Sequence, residues 1–195
     1  NRLGGNGVAN STVFGGIAGD TMARHVGAQT ALADPDEGAI DEGIERALRP
    51  FGEKPGDLNS LRDRLLDVMW DHVGILRDAG GLQKGLDALA GLRSELAATG
   101  LADDNRVFNL TWHDWLNLES LITISEVVAH AALSRQNSRG AHFREDFREE
   151  GDLDASAFTL ARRTGNKISV TQQPVAFTIV KPGESLITEA VPGAE

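Results

Sequence analysis

The sequence contains no cysteine and no tyrosine, and only two methionines among its 195 residues. Without cysteine, the chain has no disulfide framework, no thiolate nucleophile and no thiolate ligand for an iron–sulfur cluster. Basic residues are also in the minority, since 19 lysines and arginines face 29 aspartates and glutamates, for a net charge of −10. Nucleic-acid binding needs a basic surface, so this balance argues against nucleic acid as a partner.

Long apolar stretches are missing as well. No apolar run approaches the ~20 residues that cross a bilayer, and no secretory signal is recognisable. We therefore expect no direct membrane insertion and a cytoplasmic location. The five histidines and the many carboxylates show no tight metal-ligand spacing, so we also expect no metal site.

Glycine, by contrast, is concentrated at the N-terminus, where a Gly-rich loop containing Arg2 leads into small and apolar residues. Glycines let backbone N–H groups approach a ligand, and a helix N-terminus adds about half a positive charge. The loop therefore suits an anion or an electron-rich heterocycle. From the loop alone, Arg2 is equally compatible with a carboxylate-binding role and with a structural one. Residues 8–25 predict a helix that is buried on both sides, because its faces are nearly all small or apolar.

The middle of the chain is predicted to be helical. Asp36 is placed to cap a short helix over Glu37–Leu48, and the Pro- and Gly-containing residues 49–56 interrupt the pattern. Asp57 is then placed to cap a long amphipathic helix that ends at Gly80 and Gly81.

Two more amphipathic helices follow, over residues 82–98 and 109–134. Three helices with short connections pack best as an antiparallel bundle. Trp70, Trp112 and Trp115 lie at helical positions and are interpreted as packing residues of this bundle.

Period-two alternation replaces helical spacing near the C-terminus. It occupies Phe158–Arg162 and Ile168–Gln172, on either side of a turn sequence at 164–167, and so predicts a β-hairpin. Phe177–Val180 is a candidate third strand. The last residues, from Pro182 on, have the composition of a loose tail.

Three stretches together carry a family resemblance: residues 1–6 (Asn-Arg-Leu-Gly-Gly-Asn), residues 132–147 with their Arg-Gly-Ala-His motif, and the hairpin ending at 173–175. In this order they closely resemble the flavoprotein subunit of succinate dehydrogenase and fumarate reductase, a family that includes L-aspartate oxidase. The resemblance implies a mainly α fold, with a buried helix from the flavin domain, a three-helix antiparallel bundle and a small C-terminal β-hairpin region. It divides the chain into residues 1–52, 53–136 and 137–195.

The resemblance also implies site residues. In the family the Arg of the first stretch binds a carboxyl group of the dicarboxylate, and this role transfers to Arg2. The two residues that follow the last Asn of this stretch contact the flavin in the family, and here they are Gly7 and Val8. Most relatives have Ser at the position of Gly7, so a hydroxyl contact is lost while the backbone N–H remains. FAD is the implied cofactor, shared with an N-terminal flavin domain, and the implied reaction is hydride transfer between FAD and a dicarboxylate.

The Arg-Gly-Ala-His motif, residues 139–142, has two interpretations. The charged side chains in and just after it could form a proton relay, or they could form a buried ion-pair and hydrogen-bond cluster that fixes the bundle to the flavin domain; these residues are Arg139, His142, Arg144, Glu145 and Asp146. We favour the cluster, with Gly140 allowing the sharp exit from the helix. Asn137 and Arg148 depart from the residues common at these positions in the family.

The dinucleotide-binding loop and the capping domain of the family lie upstream of the region that this sequence resembles. We therefore expect that the chain is a C-terminal piece or subunit, and that alone it neither retains FAD tightly nor turns over substrate. The implied partners are the N-terminal FAD-binding and capping part, an iron–sulfur electron-transfer subunit and a dicarboxylate substrate, with peripheral attachment to the inner face of the membrane. Two alternatives remain open: a non-catalytic helical docking module, and part of an L-aspartate oxidase-like enzyme.

Overall fold

The computed structural model describes residues 6–28, 33–165 and 167–185. The helices in this part of the chain are α1 (Asn6–Ala28), α2 (Glu37–Leu48), α3 (Leu58–Val73), α4 (Ala79–Ala97) and α5 (Leu110–Ser134). The strands are β1 (Leu76–Arg77), β2 (Phe143–Arg144), β3 (Ala157–Thr164) and β4 (Lys167–Pro174). β1 pairs with β2 in parallel, and β3 pairs with β4 antiparallel. The predicted fold class, mainly helical with a small hairpin, is confirmed.

The chain divides into two compact units. The first comprises Asn1–Leu65 and Gly91–Leu121, and the second comprises Leu66–Ala90 and Ile122–Glu195. Helices α3, α4 and α5 each have residues in both units. The predicted division into residues 1–52, 53–136 and 137–195 stays a prediction about the intact protein.

The core of the first unit is built from leucines of α3 and α4 around the indole of α5. Its buried apolar residues are Leu58, Leu61, Leu65, Leu92, Leu96, Leu101, Trp115 and Leu118. The indole N–H of Trp115 donates to the carbonyl of Thr99 at 2.8 Å, so the buried ring leaves no polar atom unsatisfied. Trp112 donates to the Ala47 carbonyl at 2.7 Å and thereby joins α5 to α2.

Gly100 allows a close backbone approach in the first unit. Its N–H donates to the carbonyl of Lys54 at 2.8 Å, in a bridge between the segments that contain Pro55 and Gly100. A Cβ at position 100 would lie 2.0 Å from the carbonyl oxygen of Glu53. Only glycine fits here, because any side chain would push the two segments apart.

The core of the second unit uses the other halves of the same helices. Its buried apolar residues are Val73, Leu82, Leu86, Leu89, Ile122, Ala129 and Ala132. Gly85 lies against this core, since a Cβ there would come 3.1 Å from side-chain atoms of His72 and of Val73.

The predicted end of the first bundle helix at Gly80 and Gly81 is wrong. α3 ends at Val73, and a Cβ on the next residue, Gly74, would lie 2.5 Å from the carbonyl oxygen of Trp70. The two glycines instead occupy the first turn of α4, where the Asp78 carboxylate accepts from the N–H of Gly81 at 2.8 Å. An N-cap aspartate directly before the glycines therefore starts a helix rather than ending one.

α1 confirms the predicted helix over residues 8–25. The helix was also expected to be buried on both sides, but the described residues of this chain do not bury it. From Gly7 to Ala28 every residue is exposed, including Val8, Phe14 and Ile17. Composition indicates that such a helix has apolar surface, but it does not identify the element that covers that surface. Trp70, expected in the bundle packing, is likewise 77% exposed.

The hairpin is confirmed in the predicted register, with Thr164 opposite Lys167 and Phe158 opposite Gln173. Gly165 has a φ of 58°, the left-handed conformation that a two-residue hairpin turn requires. The candidate third strand at Phe177–Val180 is wrong, since among residues 167–185 the only strand is β4. Alternation alone does not make a strand without a neighbouring edge that pairs with it.

α5 is long and apolar enough to meet a length and composition criterion for a membrane-crossing helix, although its sequence contains no uninterrupted apolar run of that length. Core helices of other proteins meet the same criterion, and α5 buries Trp115, Leu118 and Ile122 inside the fold. In the described residues it is the one helix of this kind.

Candidate functional site

Two of the three predicted site residues, Gly7 and Val8, lie in the part of the chain that the structure describes. Arg2 lies outside the described residues. Gly7 and Val8 form the first turn of α1, which contains no acidic residue, and Val8 is 79% exposed. The first N–H groups of a helix have no partner within the helix, so this turn presents donors and a positive dipole end to its surroundings.

A second cluster lies in the second unit, around the Arg-Gly-Ala-His segment. Its central member is Arg144, whose side chain is 1% exposed. One of its terminal nitrogens, Nη1, donates to the carbonyls of Ala132, Leu133 and Arg135 at 2.9–3.1 Å. These carbonyls lie at or just beyond the C-terminal end of α5, where a helix leaves acceptors unsatisfied and favours a cation.

Asp146 is the carboxylate partner of Arg144. Its Oδ1 accepts from Nε and its Oδ2 from Nη2, each at 2.7 Å. The same Oδ2 accepts from the backbone N–H of Ala79, the first residue of α4, at 2.9 Å. The hydrogen bonds from Arg144 hold the pKa of Asp146 at about 2, well below its usual value.

His142 and Arg77 form the next contact of this cluster. The Arg77 guanidinium donates through Nη1 to Nδ1 of His142 at 2.9 Å, and through Nε to the carbonyls of Val73 and Gly74 at the end of α3. Because Nδ1 accepts, the imidazole is neutral with its proton on Nε2. Nε2 is buried and has no hydrogen-bond partner among the described residues.

Burial is the main cause that lowers the pKa of His142 to about 4, and the charges of Arg135, Arg77 and Arg144 lower it further. The nearby backbone carbonyl of Arg135 acts in the opposite direction. The imidazole is therefore neutral at pH 7, as its acceptor role toward Arg77 requires.

Arg139 and Gly140 begin the motif. Arg139 donates to the backbone carbonyls of Glu150 and Asp152 and to the hydroxyl of Ser156, which holds the loop that follows the motif. Gly140 has a φ of 57°, the left-handed conformation expected where the chain turns sharply. Of the two interpretations of the motif, these contacts agree with the hydrogen-bond cluster. Its attachment to a flavin domain stays a prediction.

Arg77 was not among the residues that the sequence singled out. It reaches His142 because β1 and β2 pair in parallel, with Arg77 opposite Arg144. The only local signal is its position directly before the N-cap Asp78, and a contact 65 residues away along the chain does not follow from that. In the described residues, no group of three or more His, Asp or Glu side chains could hold a metal ion.

Comparison with known proteins gives the family. The model described as the fumarate reductase flavoprotein C-terminus matches residues 62–186. The fumarate reductase flavoprotein subunit of Haemophilus influenzae is 30% identical over 94% of this chain and 31% of its own length. That of Escherichia coli is 34% identical over 84% of this chain and 28% of its own length. An uncharacterised FAD-dependent oxidoreductase of Methanocaldococcus jannaschii is 35% identical over 76% of this chain and 26% of its own length.

Solved structures agree. The Mycobacterium smegmatis Sdh1 complex in the apo form contains a chain that is 31% identical, with a TM-score of 0.79, over 89% of this chain and 30% of that one. A quinol-fumarate reductase with menaquinol molecules gives 29% identity and a TM-score of 0.81, over 93% of this chain and 32% of that one. This chain therefore spans about a third or less of the proteins that it matches.

Proposed function

The chain belongs to the fumarate reductase and succinate dehydrogenase flavoproteins as their C-terminal domain, and on that premise we propose that it completes a flavin–dicarboxylate site. The observation that carries this proposal is α1, a helix with an exposed apolar surface and an exposed first turn free of acidic residues. Such a helix suits a covering domain along its length and a negatively charged group at its N-terminus.

Three residues would serve this site. Arg2 binds and orients a carboxylate of the substrate, since a planar guanidinium holds a carboxylate through two parallel hydrogen bonds. The backbone N–H groups of Gly7 and Val8 hold the pyrimidine edge of the flavin. FAD, when bound, supplies the hydride acceptor or donor for the dicarboxylate. None of the three supplies a proton, so general acid catalysis belongs to another part of the enzyme.

The dipole of α1 tunes this site. Reduction places negative charge on the pyrimidine ring, so a positive helix end favours the reduced cofactor. The exposed first turn fits this role because no acidic side chain of that turn offsets the dipole.

We assign partners by the same reasoning. The N-terminal FAD-binding and capping part supplies the rest of the cofactor site, and an iron–sulfur subunit carries electrons. The solved neighbours support this assignment, since one is an Sdh1 complex and another is a quinol-fumarate reductase with menaquinol molecules. Peripheral attachment to the membrane follows from such partners.

FAD retention tests the proposal. The chain is joined to an N-terminal FAD-binding part, and bound flavin is measured by visible absorbance after gel filtration. We expect Val8→Asp to weaken FAD binding and lower the flavin midpoint potential, because it places a carboxylate at the positive helix end. Val26→Asp, at a similarly exposed position in the last turn of α1, is the matched control.

Two results would contradict the proposal. One is a joined protein that folds but retains no FAD, which favours the non-catalytic docking module. The other is an equal effect of Val8→Asp and Val26→Asp, which means that the N-terminal turn of α1 does not face the flavin.

A further inference from the structure

A second positively charged region lies in the second unit, beside the Arg144–Asp146 pair. Arg77, Arg135 and Arg139 each donate only to neutral acceptors among the described residues: backbone carbonyls, the imidazole of His142, the amide of Asn137 and the hydroxyl of Ser156. In that part of the chain, no carboxylate pairs with any of the three. Three guanidinium groups therefore have no ion-pair partner in the part of the chain that the structure describes, although the net charge of the protein is −10.

The three arginines also affect one another. Burial lowers the pKa of Arg77 and of Arg135, and the charge of a neighbouring arginine lowers each further: Arg135 acts on Arg77, and Arg139 acts on Arg135. Like charges in a partly buried position raise the free energy of the fold unless an anion neutralises them.

A cavity of about 350 Å³ opens beside two of these arginines. Its lining includes Arg135, Asn137 and Arg139 from the segment after α5, Ala155 from the loop before β3, and Gln172 from β4. This volume is in the range of small-molecule sites, which extends from roughly 300 to 1,000 Å³.

Arg135 provides free donors at this cavity. Its Nη2 donates to Asn137 at 3.2 Å, while its Nε and Nη1 have no hydrogen bond among the described residues. Arg139 adds a second charge that is fixed in place by three neutral contacts. A planar guanidinium fork with unused N–H groups matches carboxylate and phosphate oxygens in geometry as well as in charge.

From this arrangement we propose that the cavity between Arg135, Arg139 and Gln172 binds a small oxyanion, carrying carboxylate or phosphate groups. A concave site of this volume favours a small ligand over an acidic protein surface, which needs a broad contact area. Binding neutralises the uncompensated charges and stabilises the second unit.

Isothermal titration calorimetry at fixed ionic strength tests this proposal, with inorganic phosphate and succinate as separate probes and chloride as the balancing ion. We expect saturable binding of at least one probe. Arg135→Gln should raise Kd by about tenfold or more, because it removes a charged hydrogen-bonding partner. Arg163→Gln removes the same charge from the exposed end of β3, about 20 Å along the strand from Ala157, and should leave Kd unchanged.

A second pair of variants tests the proposal independently, in case the Arg135→Gln protein does not fold. Ala155→Glu places a carboxylate in the cavity and should abolish binding, whereas Ala161→Glu makes the same change at an exposed position further along β3. Binding of phosphate alone identifies a phosphoryl ligand, and binding of succinate alone identifies a carboxylate. Persistence of binding in Arg2→Gln separates this cavity from the proposed substrate site.

Three outcomes would overturn the proposal: no saturable binding of either probe, equal Kd values for the wild type and Arg135→Gln, or equal effects of Ala155→Glu and Ala161→Glu. Each can occur whether or not the flavin–dicarboxylate proposal holds.

Discussion

Arg144 and Asp146 form a two-point ion pair, with both N–O distances at 2.7 Å, and each partner also serves a helix end. The guanidinium satisfies carbonyls at the C-terminal end of α5, and the carboxylate accepts from the first N–H of α4. One pair thus neutralises the buried charge and satisfies backbone groups of two helices. The second unit should depend on it for stability.

Arg144→Lys tests this dependence. Lysine keeps the charge, but it cannot donate to Asp146 at two points and to three carbonyls at once. We expect the free energy of unfolding, measured by urea titration, to fall by about 3 kcal/mol, as when a buried ion pair is broken.

Arg64→Lys is the control, because Arg64 also contacts a carboxylate, that of Glu95 at 2.6 Å, but on an exposed surface. It should change the free energy of unfolding far less. An equal loss in the two variants would mean that the pair of Arg144 and Asp146 has no special role.

The pH dependence of stability should report on His142. Its pKa is about 4 in the folded protein, against 6.5 for a free imidazole. Between these two pH values the unfolded chain binds more protons than the folded protein. The contribution of the neutral His142 to the free energy of unfolding is therefore fully present above pH 6.5 and is lost as the pH falls toward 4. The loss should reach up to about 3 kcal/mol.

Urea titrations from pH 7.5 to pH 4 measure this loss, because this range runs from about a unit above the pKa of a free imidazole down to the pKa of His142 in the folded protein. His142→Asn should flatten the curve over this window, since the amide oxygen can still accept from Arg77 but does not titrate. His113→Asn, at an exposed position, is the control. A wild-type curve that is flat, or that rises on acidification, would contradict the neutral buried imidazole.

Glycine substitutions test the packing of the first unit. Gly100→Ala should lower the free energy of unfolding by about 2–4 kcal/mol, because its Cβ would overlap the carbonyl oxygen of Glu53. Gly91→Ala should instead raise it by up to about 1 kcal/mol, since position 91 is helical and a Cβ there meets nothing within 4 Å. Effects of the same sign in both variants would contradict the close approach at Gly100.

Phe108 offers a test of backbone strain. It has a φ of 57° and a side chain that is 95% exposed, so the ring gains little packing while the backbone is in a conformation that favours glycine. Phe108→Gly should raise the free energy of unfolding by up to about 1 kcal/mol. A clear loss of stability would show that the ring makes contacts that offset the strain.

Local signals account for most of the correct sequence predictions. Asp36, Asp57 and Asn109 begin helices where their side chains accept from the first turn, and α2 has the predicted limits. The hairpin register follows from alternation around a Gly-containing turn. These features depend on residues a few positions apart, so the sequence contains the information needed.

Two kinds of feature were not predicted from the sequence: one helix end, and contacts between distant segments. α3 ends at Val73, next to Gly74, whereas the Gly-Gly pair further along the chain was the stronger local signal for a helix end. The contact of Arg77 with His142 depends on a parallel pairing of two-residue strands. Trp70 has the spacing of a packing residue, but the pattern of one helix does not identify which of its faces a neighbour covers.

Kinetics of Arg2 variants measure the proposed role of this chain, which is to supply the carboxylate-binding arginine of a flavin–dicarboxylate site. In the protein completed with its FAD-binding part, Arg2→Gln should lower kcat/KM for the dicarboxylate by about 100-fold or more, as expected for loss of a bidentate charged contact. FAD content should stay at the wild-type level, and Arg24→Gln should have no effect. Unchanged kcat/KM in Arg2→Gln, with flavin bound, would contradict the account.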